Sequence, residues 1–252
     1  MDPPFGPFVG AGKEAEIFAC ATGVVKLYRG GIPKRAAFRE AAALALVESF
    51  GLPVPQVRSV RQVGERWSVM MSRAEGPSFA EAMLANEHLV PAYLDEMARL
   101  HLRVHEHAAI QFPGTKARLA ADIAKAGLLD AAQRNALRRR LADMPEGDRL
   151  CHGDFHPLNI LGPPGRAVIV DWPNAGRGVP AADVCRSYVL IRRVAPGIAR
   201  AYVDAYAAVS GVDTREIWSW LPFIAAGRLA EGVPEEEEEL LRMATAPAQA
   251  GS

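Results

Sequence analysis

Residues 151–172 constrain the fold of this chain more than any other segment. Two short apolar runs flank a turn at residues 162–166 that is rich in glycine and proline. Apolar runs on either side of such a turn predict a β-hairpin. Folding there brings Asn159, which precedes the first run, back beside Asp171, which follows the second. The segment therefore predicts that an amide and a carboxylate share the base of one hairpin.

Asn159 and Asp171 carry oxygen atoms of the kind that Mg²⁺ prefers. Mg²⁺ keeps several waters and takes few ligands from the protein, so one amide and one carboxylate suffice beside substrate phosphates. The alternative is an ordinary hairpin with polar ends. Asp154 disfavours that alternative because it adds a third matched residue. We therefore predict Asn159 and Asp171 as metal ligands.

Asp154 lies five residues before Asn159, in the sequence His152-Gly153-Asp154. This is the position of the base in the catalytic loop of kinases, where an asparagine also follows five residues later. Such a base accepts the proton of the attacking hydroxyl group. We expect His152 to support the loop by packing and hydrogen bonding, and His156 is left open between a structural and a chemical role.

Lys26 and Glu40 form a second candidate pair. Lys26 lies in an apolar predicted strand, and Glu40 shares the apolar stripe of a predicted helix at residues 34–50. Two half-buried opposite charges on neighbouring elements most simply contact each other. In kinases such a pair positions the α- and β-phosphates of ATP, whereas the alternative is a structural salt bridge.

A loop containing Gly10 and Gly12 precedes Lys26 by the length of a strand, a turn and a second strand. Backbone amides of such a loop could cover phosphates. Short glycine-containing hairpins are common, so the loop is weak evidence without Lys26.

The hydrophobic pattern divides the chain into a strand-rich part and a helical part. Besides the elements named above, we predict strands within residues 8–29, 56–63 and 66–73, and helices at residues 91–107, 116–127, 131–142, 182–193, 196–209, 214–229 and 235–245. The fold class is therefore α+β, with a small β-rich N-terminal lobe at residues 1–76 and a larger α-helical C-terminal lobe at residues 77–252.

The charge balance and the cysteines indicate the compartment and exclude some partners. Lys plus Arg equals Asp plus Glu, 29 against 29, so no global field favours nucleic acid or an acidic membrane surface. Three widely spaced cysteines fit free thiols in a reducing cytoplasm. We expect no secretory signal, because residues 1–4 do not lead into a basic region followed by an apolar core. We also expect no membrane span, because no apolar run is long enough.

Two further patterns have both a structural and a functional interpretation. His101 and His105 share a helix face, and we interpret them as core histidines because no glutamate follows His101 as a zinc-protease motif requires. The acidic run at residues 235–239 could attract a polycationic acceptor. We interpret it as a solvated helix start, since acidic residues favour a helix N-terminus and Pro234 suits the first helical position.

These motifs together resemble the aminoglycoside phosphotransferase and choline kinase-like family, which is similar in fold to eukaryotic protein kinases. The resemblance extends from Gly10 to Asp183 and implies a two-lobed protein-kinase-like fold. It implies Asp154 as the catalytic base and Asp183 as a structural brace of the catalytic loop. The resemblance further implies Asn159 and Asp171 as Mg²⁺ ligands, and Lys26 and Glu40 as the residues that position the phosphates. It also implies an adenine-contacting hinge at residues 70–73, which include Met71, Ser72 and Arg73.

The sequence departs from the family where Pro173-Asn174 follow Asp171-Trp172, since an acidic or polar residue is frequent there. Only eleven residues separate Asp171 from Asp183. That spacing leaves no room for a long activation loop and a peptide platform, which favours a small-molecule acceptor over a protein.

The function we expect is transfer of the γ-phosphoryl group of ATP, with Mg²⁺, to a hydroxyl of a small molecule. The acceptor stays open among aminoglycoside-like, choline-like and other metabolites. The preference for ATP or GTP and the oligomeric state, monomer or homodimer, also stay open. One alternative is a kinase-like protein that binds nucleotide or ligand without catalysis. Another is a metal-dependent hydrolase built on His152, Asp154 and His156. That alternative gives Lys26, Glu40 and Asn159 no role.

Overall fold

The computed structural model describes residues 5–246, so residues 1–4, on which the secretory-signal expectation rests, lie outside the described part. The fold is α+β, as predicted. Two compact units form, the first from the chain up to Glu87 together with Leu158–Asn174, and the second from His88–Pro157 together with the chain from Ala175 onward. The predicted hairpin thus belongs to the first unit, and the predicted lobe boundary after residue 76 stays a prediction.

The first unit contains a five-stranded antiparallel sheet with the strand order β1-β2-β3-β5-β4. The strands are β1 (Phe8–Ala11), β2 (Ala15–Cys20), β3 (Gly23–Tyr28), β4 (Val57–Val63) and β5 (Arg66–Met71), and helix α1 (Lys34–Ser49) follows β3. A short helix α2 (Phe79–Ala85), which the sequence analysis missed, begins at a capping box between Ser78 and Glu81. Its Ser-x-x-Glu signature was available in the sequence.

Helix α1 packs against β4 and β5, which fixes the orientation of Glu40. Leu44 and Val47 are almost fully buried, and so is Val69 on β5. Gly51 follows the C-cap residue Phe50 with a φ of 71°, a left-handed conformation that glycine adopts without strain. The predicted helix is therefore confirmed, and Gly51 marks its end.

The second unit is mostly helical. Its elements are α3 (Val90–His105), α4 (Thr115–Lys125), α5 (Ala131–Ala142), β6 (Arg149–Cys151), β9 (Gly176–Gly178), α6 (Pro180–Ile191), α7 (Pro196–Ser210), α8 (Thr214–Ser219), α9 (Leu221–Leu229) and α10 (Glu237–Thr245). Helix α3 packs along α7, and α6 contacts both α7 and α9. Asp130 caps α5 through a capping box with Gln133.

Two predicted elements needed correction. The helix expected at residues 214–229 is broken at Trp220, because Pro222 lacks an amide hydrogen and fits only the first turn of a new helix. The hairpin expected within residues 151–172 is confined to β7 (Ile160–Leu161) and β8 (Val168–Ile169), on either side of the predicted turn. β6 pairs with β9 instead, so the strand before Asp154 belongs to another sheet.

Within residues 5–246, no helix combines the length and the apolar character needed to cross a bilayer.

Candidate active site

Lys26 forms ion pairs with two carboxylates of the first unit. Its Nζ is 2.8 Å from Glu40 Oε1 and 2.8 Å from Asp171 Oδ1. The ion pair with Glu40 is the one that the sequence predicted. The contact with Asp171 was not predicted, and it joins strand β3 to the end of the β7–β8 hairpin.

Tyr28 completes the environment of Glu40. Its phenol donates a hydrogen bond to Glu40 Oε2, so both carboxylate oxygens are occupied by side chains two residues apart on one face of β3. Glu40 is 1% exposed. Burial lowers the pKa of Lys26, but the charges of Glu40 and Asp171 outweigh burial and raise that pKa above its ordinary value. Burial, followed by the negative charge of Glu40, raises the pKa of Tyr28. Lys26 is therefore a fixed cation between two carboxylates.

Asp171 has an unusual backbone. Its φ is 67°, and it is the one non-glycine residue with a positive φ among residues 5–246. Aspartate tolerates this region better than most residues, and such conformations concentrate at functional sites. The Val170 amide donates to Asn159 O at 2.9 Å, beside the pairing of Ile160 with Ile169. The base of the hairpin thus carries Asn159 and Asp171 together, in the arrangement that the turn predicted.

The donor set at this base suits a hard divalent cation. Asn159 supplies an amide oxygen, and Asp171 supplies a carboxylate whose side chain is 39% exposed. The contact with Lys26 is made by Oδ1 of Asp171. Oxygen donors of this type, few in number and partly open to solvent, are what Mg²⁺ uses when it also binds phosphates.

Gly10 and Gly12 lie where β1 turns into β2. A Cβ added to either glycine would meet no heavy atom within 4 Å, and neither has a φ in the left-handed region. The Gly12 amide donates to Ala15 O at 2.9 Å, which closes the turn. Neither internal packing nor backbone strain therefore requires glycine here.

The predicted hinge begins at the end of β5. Met71 is buried and pairs with Val24 and Val57. Ser72 is bound to Gln56 twice, through its amide, which donates to Gln56 O, and through its hydroxyl, which accepts from the Gln56 amide. Arg73 Nε is 3.6 Å from Glu75 Oε2. Contact of these three residues with adenine stays a prediction.

Asp154 lies on the loop after β6 in the second unit. Its amide donates to His152 Nδ1 at 3.2 Å, and His156 Nε2 is 3.6 Å from Asp154 Oδ2. Burial raises the pKa of Asp154. The hydrogen bond and charge of His156, with the charges of Arg186 and His152, outweigh burial and lower that pKa to about 2. Asp154 is therefore ionised at neutral pH and able to accept a hydrogen bond from a hydroxyl.

Asp183 holds the loop that carries Asp154. Its Oδ2 accepts from the His152 amide at 2.6 Å, and its Oδ1 accepts from the Gly153 amide at 2.9 Å. His101 Nε2, at 3.0 Å, and His105 Nε2, at 3.4 Å, also bond to Oδ2. Burial raises the pKa of Asp183, but the hydrogen bonds from the two histidines outweigh it and hold that pKa well below the usual range.

His101 and His105 are core residues, as the sequence analysis preferred, but they have specific hydrogen-bond partners. Since the carboxylate of Asp183 only accepts, Nε2 of each ring is assigned the proton, and each Nδ1 accepts from a tyrosine hydroxyl, that of Tyr202 or Tyr206. Burial, reinforced by His105, lowers the pKa of His101 to about 3, so the ring is neutral. Every ring nitrogen has an oxygen partner, so the group is a hydrogen-bond network around Asp183.

The acidic run at residues 235–239 is not only a solvated helix start, as we had expected. Glu236 is 5% exposed, and both of its carboxylate oxygens are 2.8 Å from the Arg228 guanidinium. Arg192, also buried, contacts Glu239. Part of the negative charge of the run is therefore neutralised within the second unit.

Comparisons with known proteins identify the family and the fold of this chain. The model of the family described as "Phosphotransferase enzyme family" matches residues 8–245. A comparison with curated proteins finds no match. Among solved structures, a thermostable mutant of aminoglycoside phosphotransferase APH(4)-Ia in its apo form is similar at a TM-score of 0.68 and 18% identity, covering 96% of this chain and 95% of that one.

A second similar structure is aminoglycoside phosphotransferase APH(3'')-Id from Streptomyces rimosus, at a TM-score of 0.65 and 19% identity, covering 91% of this chain and 93% of that one. These likenesses show the fold, which is the protein-kinase-like fold of aminoglycoside phosphotransferases. Because the family model spans nearly the whole chain, the protein belongs to the phosphotransferase enzyme family.

Proposed function

We propose that this protein transfers the γ-phosphoryl group of ATP to a hydroxyl of a small molecule, with Mg²⁺ as the cofactor. The observation that carries the proposal is Lys26, held between Glu40 and Asp171 at 2.8 Å from each. A cation fixed in this way, beside a carboxylate suited to a metal, is the arrangement with which kinases bind the phosphates of ATP.

Lys26 positions the α- and β-phosphates, and Glu40 keeps its ammonium group in place. Tyr28 restrains the second carboxylate oxygen of Glu40, Oε2. Because these groups are already ordered by their mutual contacts, little reorganisation is needed when the nucleotide binds. Gly10 and Gly12 leave space at the turn for a phosphate to approach the backbone.

Asn159 and Asp171 would hold Mg²⁺. When bound, the ion neutralises charge on the phosphate oxygens. Asp154 accepts the proton of the acceptor hydroxyl as the new bond to phosphorus forms. Its low pKa, about 2, keeps it ionised throughout the neutral range. The bond between the γ-phosphorus and ADP breaks as the new bond forms, and ADP is the leaving group. Asp154 therefore orients the hydroxyl chiefly through a hydrogen bond and takes up the proton late, consistent with a loose transition state.

The similar structures support both a nucleotide and a small acceptor. APH(4)-Ia has been solved in a ternary complex with ADP and hygromycin B, and APH(3'')-Id in a complex with ADP and streptomycin. Identity to both is below 20%, so the acceptor of this chain is proposed only as a small-molecule alcohol. The neutralised glutamates near α10 do not favour a polycation in particular.

A coupled assay of ADP release tests the proposal. Purified protein is given ATP and Mg²⁺ with a panel of alcohols that includes hygromycin B, streptomycin, choline and simple sugars. We expect acceptor-dependent ADP release from the wild-type protein. Asp154→Ala should abolish this release while nucleotide binding persists. Asp171→Ala should abolish both the release and the magnesium-dependent binding of nucleotide. Nucleotide binding without phosphorylated product for any acceptor would favour the non-catalytic alternative. Metal-dependent hydrolysis of a compound in the absence of ATP would favour a hydrolase.

A further inference from the structure

Arg186, on helix α6, is the residue from which a further role can be argued. Its Nε lies 3.4 Å from the carbonyl oxygen of Gly153. That carbonyl and the Asp154 amide belong to the same peptide unit, and the amide is bonded to His152 Nδ1. Both polar groups of the peptide that leads into Asp154 are therefore held, one by His152 and the other by Arg186.

Arg186 is itself fixed by ion pairing. Its Nη2 is 2.6 Å from Glu231 Oε1, just beyond the end of α9, and its side chain is 17% exposed. Glu231 also contacts Arg228, whose guanidinium binds Glu236 through two hydrogen bonds. Arg186, Glu231, Arg228 and Glu236 form a row of alternating charges, which we call the arginine–glutamate row.

The arginine–glutamate row joins two places that are distant in sequence. At one end is the Gly153 carbonyl, directly before Asp154. At the other end is Glu236, in the short turn that leads into α10. Because each guanidinium has a fixed fork of donors, a row of this kind keeps its geometry better than lysines would.

We propose that Arg186 is a positioning residue for Asp154, and that the arginine–glutamate row couples the C-terminal helix α10 to the catalytic loop. The predicted effect of Arg186 on kcat rests on the proposed function, whereas the predicted ordering of the catalytic loop by Arg186 does not. Arg186 also places a positive charge near Asp154, which agrees with the lowered pKa of that carboxylate.

The test compares Arg186→Met, Arg186→Lys and Glu231→Gln with Arg215→Met, a matched control. Arg215 is exposed and pairs with its neighbour Asp213. The first measurement is hydrogen exchange of peptides that cover residues 150–157. We expect faster exchange in Arg186→Met, an intermediate rate in Glu231→Gln and no change in Arg215→Met. Wild-type protection of this segment in Arg186→Met overturns the proposal.

The second measurement is ADP release from ATP and Mg²⁺, with water and with the best acceptor of the panel. We expect Arg186→Met to lower kcat about 10- to 100-fold, with the KM for ATP within about twofold, because misplacement of a catalytic group by about 1 Å has effects of this size. Arg186→Lys should recover part of the loss. Adding Glu231→Gln to Arg186→Met should lower kcat no further, since the row is already broken.

The two measurements separate the proposals. Unchanged kcat in folded Arg186→Met overturns the positioning role even where exchange is faster. If Arg186→Met does not fold, Arg186→Lys and Glu231→Gln decide, and wild-type kcat and protection in both overturn the proposal. If the wild-type protein transfers no phosphoryl group to any acceptor, the proposed function fails, and the exchange measurement alone decides whether Arg186 orders the loop.

Discussion

Asp183→Asn is a sharp test of how the loop that carries Asp154 is held. The carboxylate accepts from four donors, which are the amides of His152 and Gly153 and the Nε2 atoms of His101 and His105. Asparagine has a single acceptor oxygen. In its better orientation the oxygen replaces Oδ2 and keeps three of these donors, whereas its NH₂ group faces the Gly153 amide.

The expected cost follows from this count. A buried amide without a partner costs about 1–3 kcal/mol. Each remaining hydrogen bond changes from charge-assisted to neutral and loses about 1 kcal/mol. The smaller desolvation cost of a neutral side chain offsets part of this sum. We expect a net destabilisation of about 3–5 kcal/mol, which corresponds to a fall in Tm of about 6–20 °C for a chain of this size.

Thermal unfolding followed by circular dichroism measures this fall. Asp213→Asn is the matched control, because Asp213 caps α8 from an exposed position and asparagine is an equally good cap. The control should shift Tm by less than about 2 °C. A fall of less than about 3 °C for Asp183→Asn would mean that the four hydrogen bonds do not hold the loop as described.

Three further outcomes are expected. Lys26→Met leaves the buried Glu40 without its cation, so the substitution should destabilise the protein by about 3 kcal/mol. It should also raise the KM for ATP, and a normal KM would contradict the phosphate-positioning role. Gly12→Ala should leave Tm unchanged, since its Cβ meets open space, and yet raise the KM for ATP, with Gly30→Ala, also in open space, as the control. The pKa of His101 is lowered to about 3, so the unfolded chain binds a proton there that the folded protein does not. Stability should therefore be full above about pH 6.5 and fall by up to about 1.4 kcal/mol per pH unit toward pH 3. Urea titrations at pH 7.5 and pH 5 measure this change, and equal midpoints would contradict a neutral buried His101.

The sequence revealed those features that depend on local pattern. Lys26 and Glu40 were predicted to pair because each is a charge within an apolar stripe, and they do. The hairpin turn predicted that Asn159 and Asp171 share one base, and the register agrees. Their roles as metal ligands depend on chemistry that only binding experiments measure.

Features that depend on tertiary packing could not be predicted from local sequence pattern. In the sequence Tyr28 is an ordinary residue of an apolar strand, and only the structure shows that its hydroxyl donates a hydrogen bond to Glu40. His101 lies 82 positions before Asp183, and their contact depends on how α3, α6 and α7 pack. The break at Trp220 has a local signal in the sequence, because Pro222 fits only the first turn of a new helix.

The first unit is assembled from two stretches of chain that are separated by seventy residues of the second unit. During synthesis the sheet and α1 leave the ribosome long before residues 158–174 do. For that interval Lys26 has Glu40 but lacks Asp171, and the hairpin that carries Asp171 does not yet exist. The charged group around Lys26 is therefore completed only after residues 88–157 of the helical unit have been made. A chain that ends before residue 171 lacks the carboxylate to which the proposed function assigns the metal ion.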